Sequence, residues 1–279
     1  MDYYSLYGIY IIILIITGIA VGFASGLLGV GGCFIMIPVQ FWVLESMGID
    51  PKVAILVAFG TNLLVVLPTA MSGAWRHSKK EAVLWRPAII MGLTGAGGSI
   101  LGAFVATLIP GNILPIIFGI AIIAGGIRML TAKPPKIEEN PPTTDLPYVL
   151  WGLPLGFACG LIGIGGGVLM IPIMVVFLKF QMHKAVGTST GMMIFTATGG
   201  AISYMIMGWN VPGLPPYSIG YVNLIQWICL AVTSVIMAQV GAHVAHKLHP
   251  QKLKYIFIIV MFYMGLKMIG VFSWLGLPI

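Results

Sequence analysis

Two copies of one glycine-rich apolar block lie in this chain, and they constrain its fold more than any other feature of the sequence. GFASGLLGVGGCFIMIP at 22–38 matches GFACGLIGIGGGVLMIP at 156–172, an offset of 134 residues. AFGTN at 58–62 matches AVGTS at 185–189, an offset of 127 residues. Shared glycines and a shared terminal proline over such a length are not expected from chance similarity of apolar sequence. The chain is therefore predicted to consist of two related halves.

The composition is that of a membrane protein. Hydrophobic residues make up 59% of the chain and charged residues 8%, against about 25% charged in a soluble domain. This excludes a soluble enzyme, a secreted disulfide scaffold and a disordered chain. The three cysteines are odd in number and lie in apolar sequence, so no disulfide framework is predicted. The net charge of +7 comes from basic residues scattered between apolar stretches, which argues against a nucleic-acid partner and for a lipid bilayer.

Apolar stretches long enough to cross a bilayer occupy most of the chain. Spanning the hydrocarbon core of about 30 Å takes about 20 helical residues. Six stretches have this length, and two longer ones are interrupted midway by glycine. The six are 53–75, 84–109, 112–130, 184–208, 220–246 and 253–273, and the two longer ones are 8–44 and 148–178. Each longer stretch is interpreted as a helical hairpin, either fully spanning or re-entrant, because one straight helix over 8–44 would measure about 55 Å.

The distribution of basic residues predicts opposite orientations for the two halves. The loop after 53–75 is basic, whereas its counterpart at 209–220 is uncharged, so the first lies in the cytoplasm and the second outside. We therefore predict an all-α polytopic membrane protein with two inverted-topology repeats, each a glycine-broken helical hairpin plus three transmembrane helices. The repeats occupy 1–130 and 148–279, joined by a cytoplasmic linker at 131–147. Both termini are predicted outside the plasma membrane.

The glycine blocks are the first candidate site. Adjacent glycines weaken a helix, and a broken helix at membrane depth survives only where a cavity or protein satisfies its backbone. The half-helix that follows such a break presents free N–H groups, which attract anions. An alternative is a tight hairpin turn that binds no ligand. The residues of this candidate site are Gly29, Gly31, Gly32, Cys33, Gly163, Gly165, Gly166 and Gly167.

Hydroxyl and amide side chains form the second candidate site. Each copy follows a glycine a few residues into its span, and such groups donate hydrogen bonds to oxyanions. The alternative is that the hydroxyls bond to a carbonyl of their own helix. The residues are Thr61, Asn62, Thr188, Ser189 and Thr190.

The residues that the spans lack are also informative. No Asp or Glu falls inside a predicted span, which disfavours a cation as substrate. No phosphate-binding loop is present, so an ATP-driven pump is unsupported. We predict no enzymatic activity, no cofactor and no metal. Histidines flank the predicted cytoplasmic ends, which leaves coupling to protons open as an alternative; they are His77, His183, His243, His246 and His249.

From about Gly18 to Met268 the chain resembles the TauE/SafE sulfite exporter family, also called the toluene-sulfonate uptake permeases. The resemblance rests on the doubled glycine blocks, each ending in a proline (Pro38 and Pro172), and on the paired AFGTN and AVGTS motifs. It implies a plasma-membrane transporter of sulfite or organosulfonates, with members that differ in substrate and in direction.

Together these features predict a secondary transporter, exporting small sulfur-containing anions by alternating access between the two repeats. The anion is expected between the glycine breaks. Another small organic anion, such as sulfoacetate or lactate, is an alternative substrate. Two alternatives of other classes are a gated anion channel and an intramembrane hydrolase, for which Ser25 or Ser189 would need to reach a histidine.

Overall fold

The computed structural model describes residues 3–28, 32–131, 142, 144–244 and 250–274. It is mostly helical, with one two-stranded hairpin in the described part. The first half contains α1 (Tyr3–Leu28), α2 (Cys33–Ser46), α3 (Pro51–Ser78), α4 (Trp85–Leu108) and α5 (Leu114–Thr131). The second half contains α6 (Leu146–Ile162), α7 (Gly167–Val176), α8 (Met182–Met207), β1 (Ser218–Ile219), β2 (Val222–Asn223), α9 (Leu224–Val244), α10 (Pro250–Ile269) and α11 (Val271–Trp274). Most of the predicted linker 131–147 lies outside the described residues.

The surface and the interior have the polarity of a helical membrane protein. In the described residues, α3, α4, α5 and α8 are long and apolar enough to cross a bilayer. Large apolar side chains face outward, among them Leu101 on α4 and Ile206 on α8. Polar side chains such as Gln40 and Thr196 are fully buried. This arrangement is the one that hydrocarbon requires and confirms the predicted helical membrane protein.

Residues at helix starts set where the longest span begins. The Asp50 carboxylate accepts hydrogen bonds from the backbone N–H groups of Lys52 and Val53, at 2.9 and 3.3 Å. Pro51 occupies the first helical position, where its missing N–H costs no helical hydrogen bond. α3 therefore begins at Pro51 and runs for 28 residues, with its fully buried Thr61 and Asn62 well inside the helix.

Both helix pairs that contain the glycine blocks separate at those blocks. α1 ends at Leu28 and α2 begins at Cys33, while α6 ends at Ile162 and α7 begins at Gly167. α7 has 10 residues, or about 15 Å of helix, which is too short to cross the hydrocarbon core. α7 alone therefore cannot cross the hydrocarbon core.

The closest helix packing joins the two halves of the chain. α1 packs along α9, and α6 packs along α4, more extensively than any two helices within one half. Glycines allow this approach, because a Cβ on Gly22 would overlap the Ser234 backbone and one on Gly156 would overlap the Gly95 backbone. Each hairpin is thus held by a helix of the opposite half.

Candidate functional site

A cavity of about 200 Å³ lies where the two glycine breaks meet. Gly32 and Cys33 of the first break line it, together with Gly165, Gly166 and Gly167 of the second. From the breaks the cavity extends beside α3 and α9 toward their C-terminal ends, where its lining includes Arg76 and Ala238 respectively. Two separate breaks in the chain therefore contribute to one space.

The second break has a backbone that glycine alone adopts easily. Gly163 ends α6 with φ of 64°, and Gly166 precedes α7 with φ of 93°, both in the left-handed region that side chains disfavour. Any Cβ on Gly163 would also come within 2.6 Å of the Phe59 Cα. The break is consequently pressed against α3, and this contact fixes it at the cavity wall.

The starts of two helices meet the cavity at these breaks. The backbone N–H groups of Leu169 and Met170 already donate to the carbonyl of Gly166, and those of Ile35 and Met36 donate to Gly32. The first residue of each helix, Cys33 of α2 or Gly167 of α7, lines the cavity. A helix N-terminus carries a partial positive charge, so both breaks favour an anion in this space.

Hydroxyl groups are spread over a mostly apolar wall. Those of Thr69 and Thr190 donate to carbonyls of their own helices, at 2.8 Å to Val66 and 2.6 Å to Gly187. Their oxygens can still accept a hydrogen bond. The remaining hydroxyl-bearing residues of the lining are Ser25, Ser72 and Ser234.

Two basic residues in the lining, Arg76 and His77, were not predicted as site residues. Both lie in the last turn of α3, whereas the sequence predicts them in a cytoplasmic loop. Helical spacing is the sequence signal that indicates Arg76 as a lining residue. Thr69, Gly73 and Arg76 recur at intervals of three or four residues and so share one face of the helix. The predicted span 53–75 ends one residue before Arg76, so it leaves Arg76 off this face.

The predicted site residues fall into three groups. Gly32, Cys33, Gly165, Gly166, Gly167 and Thr190 line the cavity. Gly163, Thr61, Asn62, Thr188 and Ser189 lie outside its lining. Gly29 and Gly31 lie outside the described residues.

Thr61 and Thr188 each hold the start of a helix from the opposite half. Thr61 Oγ1 accepts a hydrogen bond from the Asn223 backbone N–H at 2.8 Å, immediately before α9. Thr188 Oγ1 accepts one from the Leu84 N–H at 3.0 Å, immediately before α4. Both threonines are fully buried. The Thr61 hydroxyl satisfies the Asn223 N–H, which would otherwise be buried without a partner at a cost of about 1–3 kcal/mol, and the Thr188 hydroxyl satisfies the part-buried Leu84 N–H.

Asn62 and Ser189 also bond to the protein backbone. Asn62 Nδ2 donates to the Gly163 carbonyl at 2.7 Å, which ties α3 to the second break. Its Oδ1 is buried without a hydrogen-bond partner. Ser189 Oγ donates to the Val186 carbonyl at 2.8 Å, within its own helix. Asn62 thus supports the second break. Ser189 bonds to a carbonyl of its own helix, which is the alternative to anion binding stated above for the hydroxyl groups.

Beyond the breaks, on the side away from Arg76, the helices are closed together. α4 packs along α8 much more extensively than α9 packs along α3. A Cβ on Gly200 would lie 2.5 Å from Ser99 Oγ, and Tyr204 Oη donates to the Gly160 carbonyl at 2.8 Å. The cavity is therefore one-sided. Within the described part of the chain, no group of three or more His, Cys, Asp or Glu side chains could hold a metal ion.

The amino-acid sequence is similar to those of known membrane transporters. The family model of the sulfite exporter TauE/SafE matches residues 14–268. A probable membrane transporter protein, MJ0441 of Methanocaldococcus jannaschii, is 33% identical over 260 residues, covering 92% of this chain and 94% of the other. The probable membrane transporter protein YunE of Bacillus subtilis is 28% identical over 282 residues, covering 94% and 99%. No solved structure is significantly similar to the chain.

Proposed function

This chain belongs to the sulfite exporter TauE/SafE family of membrane transporters, and on that basis we propose that it exports small sulfur-containing anions, sulfite or an organosulfonate, across the plasma membrane. The observation that carries the proposal is the convergence of two glycine-broken helix starts on one cavity. The anion would contact the backbone at Gly32 and at Gly165–Gly167, with the hydroxyl of Thr190 beside it. Cys33 would contribute as the first residue of α2. Thr61 and Thr188 would support the site indirectly, through the helix starts that they hold.

The expected affinity suits a transporter. Each helix N-terminus contributes about 0.3–1 kcal/mol, and up to about 2 kcal/mol when partly buried. Hydrogen bonds to a charged ligand add about 1.5–3 kcal/mol each before ordering costs. A total of about 4–8 kcal/mol corresponds to millimolar to micromolar dissociation constants. An anion bound with this affinity can be selected by the site and still dissociate from it during transport.

Reciprocal contacts support an inverted-repeat organisation. Thr61 and Thr188 are equivalent at an offset of 127, and their partners Leu84 and Asn223 are equivalent at 139. A second case is Gly60, which meets the Tyr221 carbonyl. Its equivalent Gly187 meets the Ala82 carbonyl, again at offsets of 127 and 139. A two-fold relation that exchanges the repeats accounts for both cases.

Alternating access would exchange the open and closed sides. Because α1 packs on α9 and α6 on α4, the bodies that move would each combine a hairpin of one repeat with a helix of the other. Movement of whole repeats against each other, as the sequence suggested, would have to break these contacts. In the other state α9 would pack along α3 as α4 now packs along α8.

The orientation that basic residues predict fits an exporter. The loop at Arg76–Arg86 would lie in the cytoplasm by the positive-inside rule. The cavity extends toward Arg76 and would then load its anion from the cytoplasm.

A thermal-stability screen of the purified protein tests the proposed substrate class. The candidates are sulfite, thiosulfate, sulfoacetate, taurine and lactate, with chloride as the ionic-strength control. A ligand at 100 times its dissociation constant stabilises the native state by about 2.7 kcal/mol. We expect at least one of sulfite, thiosulfate and sulfoacetate to raise the unfolding temperature saturably. If lactate alone does so, the sulfur-anion assignment is wrong and the carrier is one of another organic anion.

A further inference from the structure

Arg76 is a charged group in the cavity that the glycine breaks do not explain. Its side chain is part of the lining, half-buried at the end of the cavity away from the breaks. No Asp or Glu is present among the described residues of the lining, and the ion pair that Arg86 forms with Asp145 does not involve Arg76. A guanidinium keeps its charge at any physiological pH. Without an acidic partner, it favours an anion in the adjacent space.

The opposite side of the breaks has no equivalent charge. The positions that correspond to Arg76 and His77 are Ser203 and Tyr204, at an offset of 127. Ser203 Oγ donates to the Ile100 carbonyl at 3.4 Å, and Tyr204 Oη donates to the Gly160 carbonyl. These neutral side chains are engaged with backbone. The two ends of the pathway therefore differ in electrostatic potential, although their helices are related.

We propose that Arg76, with His77 beside it, is an anion-recruitment site at the open end of the cavity. This proposal rests on the proposed function and adds a substrate preference. Dianionic oxyanions are preferred over monoanions, and both are preferred over zwitterions. The recruitment site acts before the anion reaches the glycine breaks. It acts at one end of the pathway alone.

The separation of the two sites is compatible with this role. Val66 contacts Gly165 at the second break, and Arg76 lies ten residues further along α3, or about 15 Å at 1.5 Å per residue. An extended arginine side chain shortens this distance. A narrow cleft with apolar walls focuses the field of a fixed charge and raises the local concentration of the counter-ion. The anion would therefore be concentrated next to the breaks before binding there.

Calorimetry on three purified variants tests the recruitment site. The variants are Arg76→Gln, Arg76→Lys and the matched control Lys80→Gln, which removes an equal charge from an exposed residue four positions away and outside the lining. The probes are sulfite and sulfoacetate as dianions, lactate as a monoanion and taurine as a zwitterion, at pH 8. Each titration is run at low salt and at 0.5 M salt, and the unfolding temperature of each unliganded variant is measured.

Arg76→Gln is expected to weaken dianion binding about 10-fold at low salt, monoanion binding less and taurine binding least. The difference should shrink at 0.5 M salt, where screening is stronger. Arg76→Lys should stay within about 3-fold of the native protein and Lys80→Gln within about 2-fold, since both keep a cation at position 76. These results would support the recruitment site.

Four outcomes would overturn the recruitment site. Unchanged dianion affinity in Arg76→Gln removes Arg76 from recognition. Equal losses in Arg76→Gln and Lys80→Gln show a general surface potential. A loss that is the same for taurine and sulfoacetate, or a lowered unfolding temperature in Arg76→Gln, shows a structural role. If the native protein binds none of the four probes and thiosulfate does not raise its unfolding temperature either, the proposed function itself fails, which separates that failure from the outcomes that overturn the recruitment site alone.

Discussion

Transport is expected to stop completely when Gly73→Cys and Ala238→Cys are joined by a disulfide or a short thiol crosslinker. Gly73 and Ala238 both line the cavity, on α3 and α9, and their neighbours Ser72 and Gln239 are joined by a hydrogen bond of 3.0 Å. Their equivalents on the closed side, Gly200 and Ser99, are in direct contact. The two cysteines should therefore meet in the state that is closed toward Arg76. Counterflow in liposomes measures the loss, and reduction of the disulfide should restore transport.

Both substitutions suit their surroundings. A Cβ on Gly73 would lie at ordinary contact distance, 3.5 Å, from Thr190 Cγ2, and Ala238 borders the cavity. The native cysteines are replaced first, in a background that retains transport. Each single-cysteine variant, treated with the same crosslinker, is the control and should remain active. Full transport by the crosslinked double variant would contradict the alternating exposure of this cavity.

The second large effect is predicted at a contact between α4 and α6, two helices that do not line the cavity. Gly98 of α4 packs so closely on α6 that a Cβ would overlap the Leu153 carbonyl oxygen. Gly98→Val therefore forces α4 and α6 apart. Overpacking of this kind costs about 1–3 kcal/mol, occasionally more, and helices in lipid depend on close packing for their association. We expect a strongly lowered unfolding temperature in detergent, or no folded protein.

Gly97 gives a matched control for this prediction. It precedes Gly98 in the same helix, and a Cβ there would meet no other atom within 4 Å. Gly97→Val makes the same chemical change, with the same small gain in helix propensity, because valine is a better helix former than glycine. Its unfolding temperature should stay close to that of the native protein. Equal destabilisation of both variants would show that backbone effects, and not the α4–α6 contact, explain the result.

The positions of most spans could be predicted from the sequence, because a helix in lipid needs a continuous apolar stretch of known length. α4, at Trp85–Leu108, nearly fills the predicted 84–109. The partners of these helices could not be predicted. Glycines every fourth residue at Gly152, Gly156 and Gly160 indicate a close helix neighbour, but not that the neighbour is α4 of the other half.

The candidate site was only partly predictable for a related reason. A threonine that recurs in both apolar helices indicates a hydrogen bond of its hydroxyl group, but the sequence does not identify the partner of that bond. Thr61 bonds to an N–H 162 residues away, and Thr188 to one 104 residues away. Glycines at a break are more informative, since few residues adopt φ of 93° as Gly166 does. Arg76 was missed because its helix continues one turn past the apolar stretch.

Counterflow with labelled anion tests the central claim most directly. Liposomes containing the purified protein are loaded with an excess of the unlabelled sulfur anion that stabilises the protein most, and diluted into a trace of the same labelled anion. A transporter with a single site exposed to one side at a time should accumulate the label transiently above equilibrium, with a rate that saturates as the external anion rises. If the label instead approaches equilibrium monotonically, at a rate proportional to anion concentration and with an electrical current, the protein is a channel. If no sulfur anion is taken up at all, the proposed transport function is contradicted.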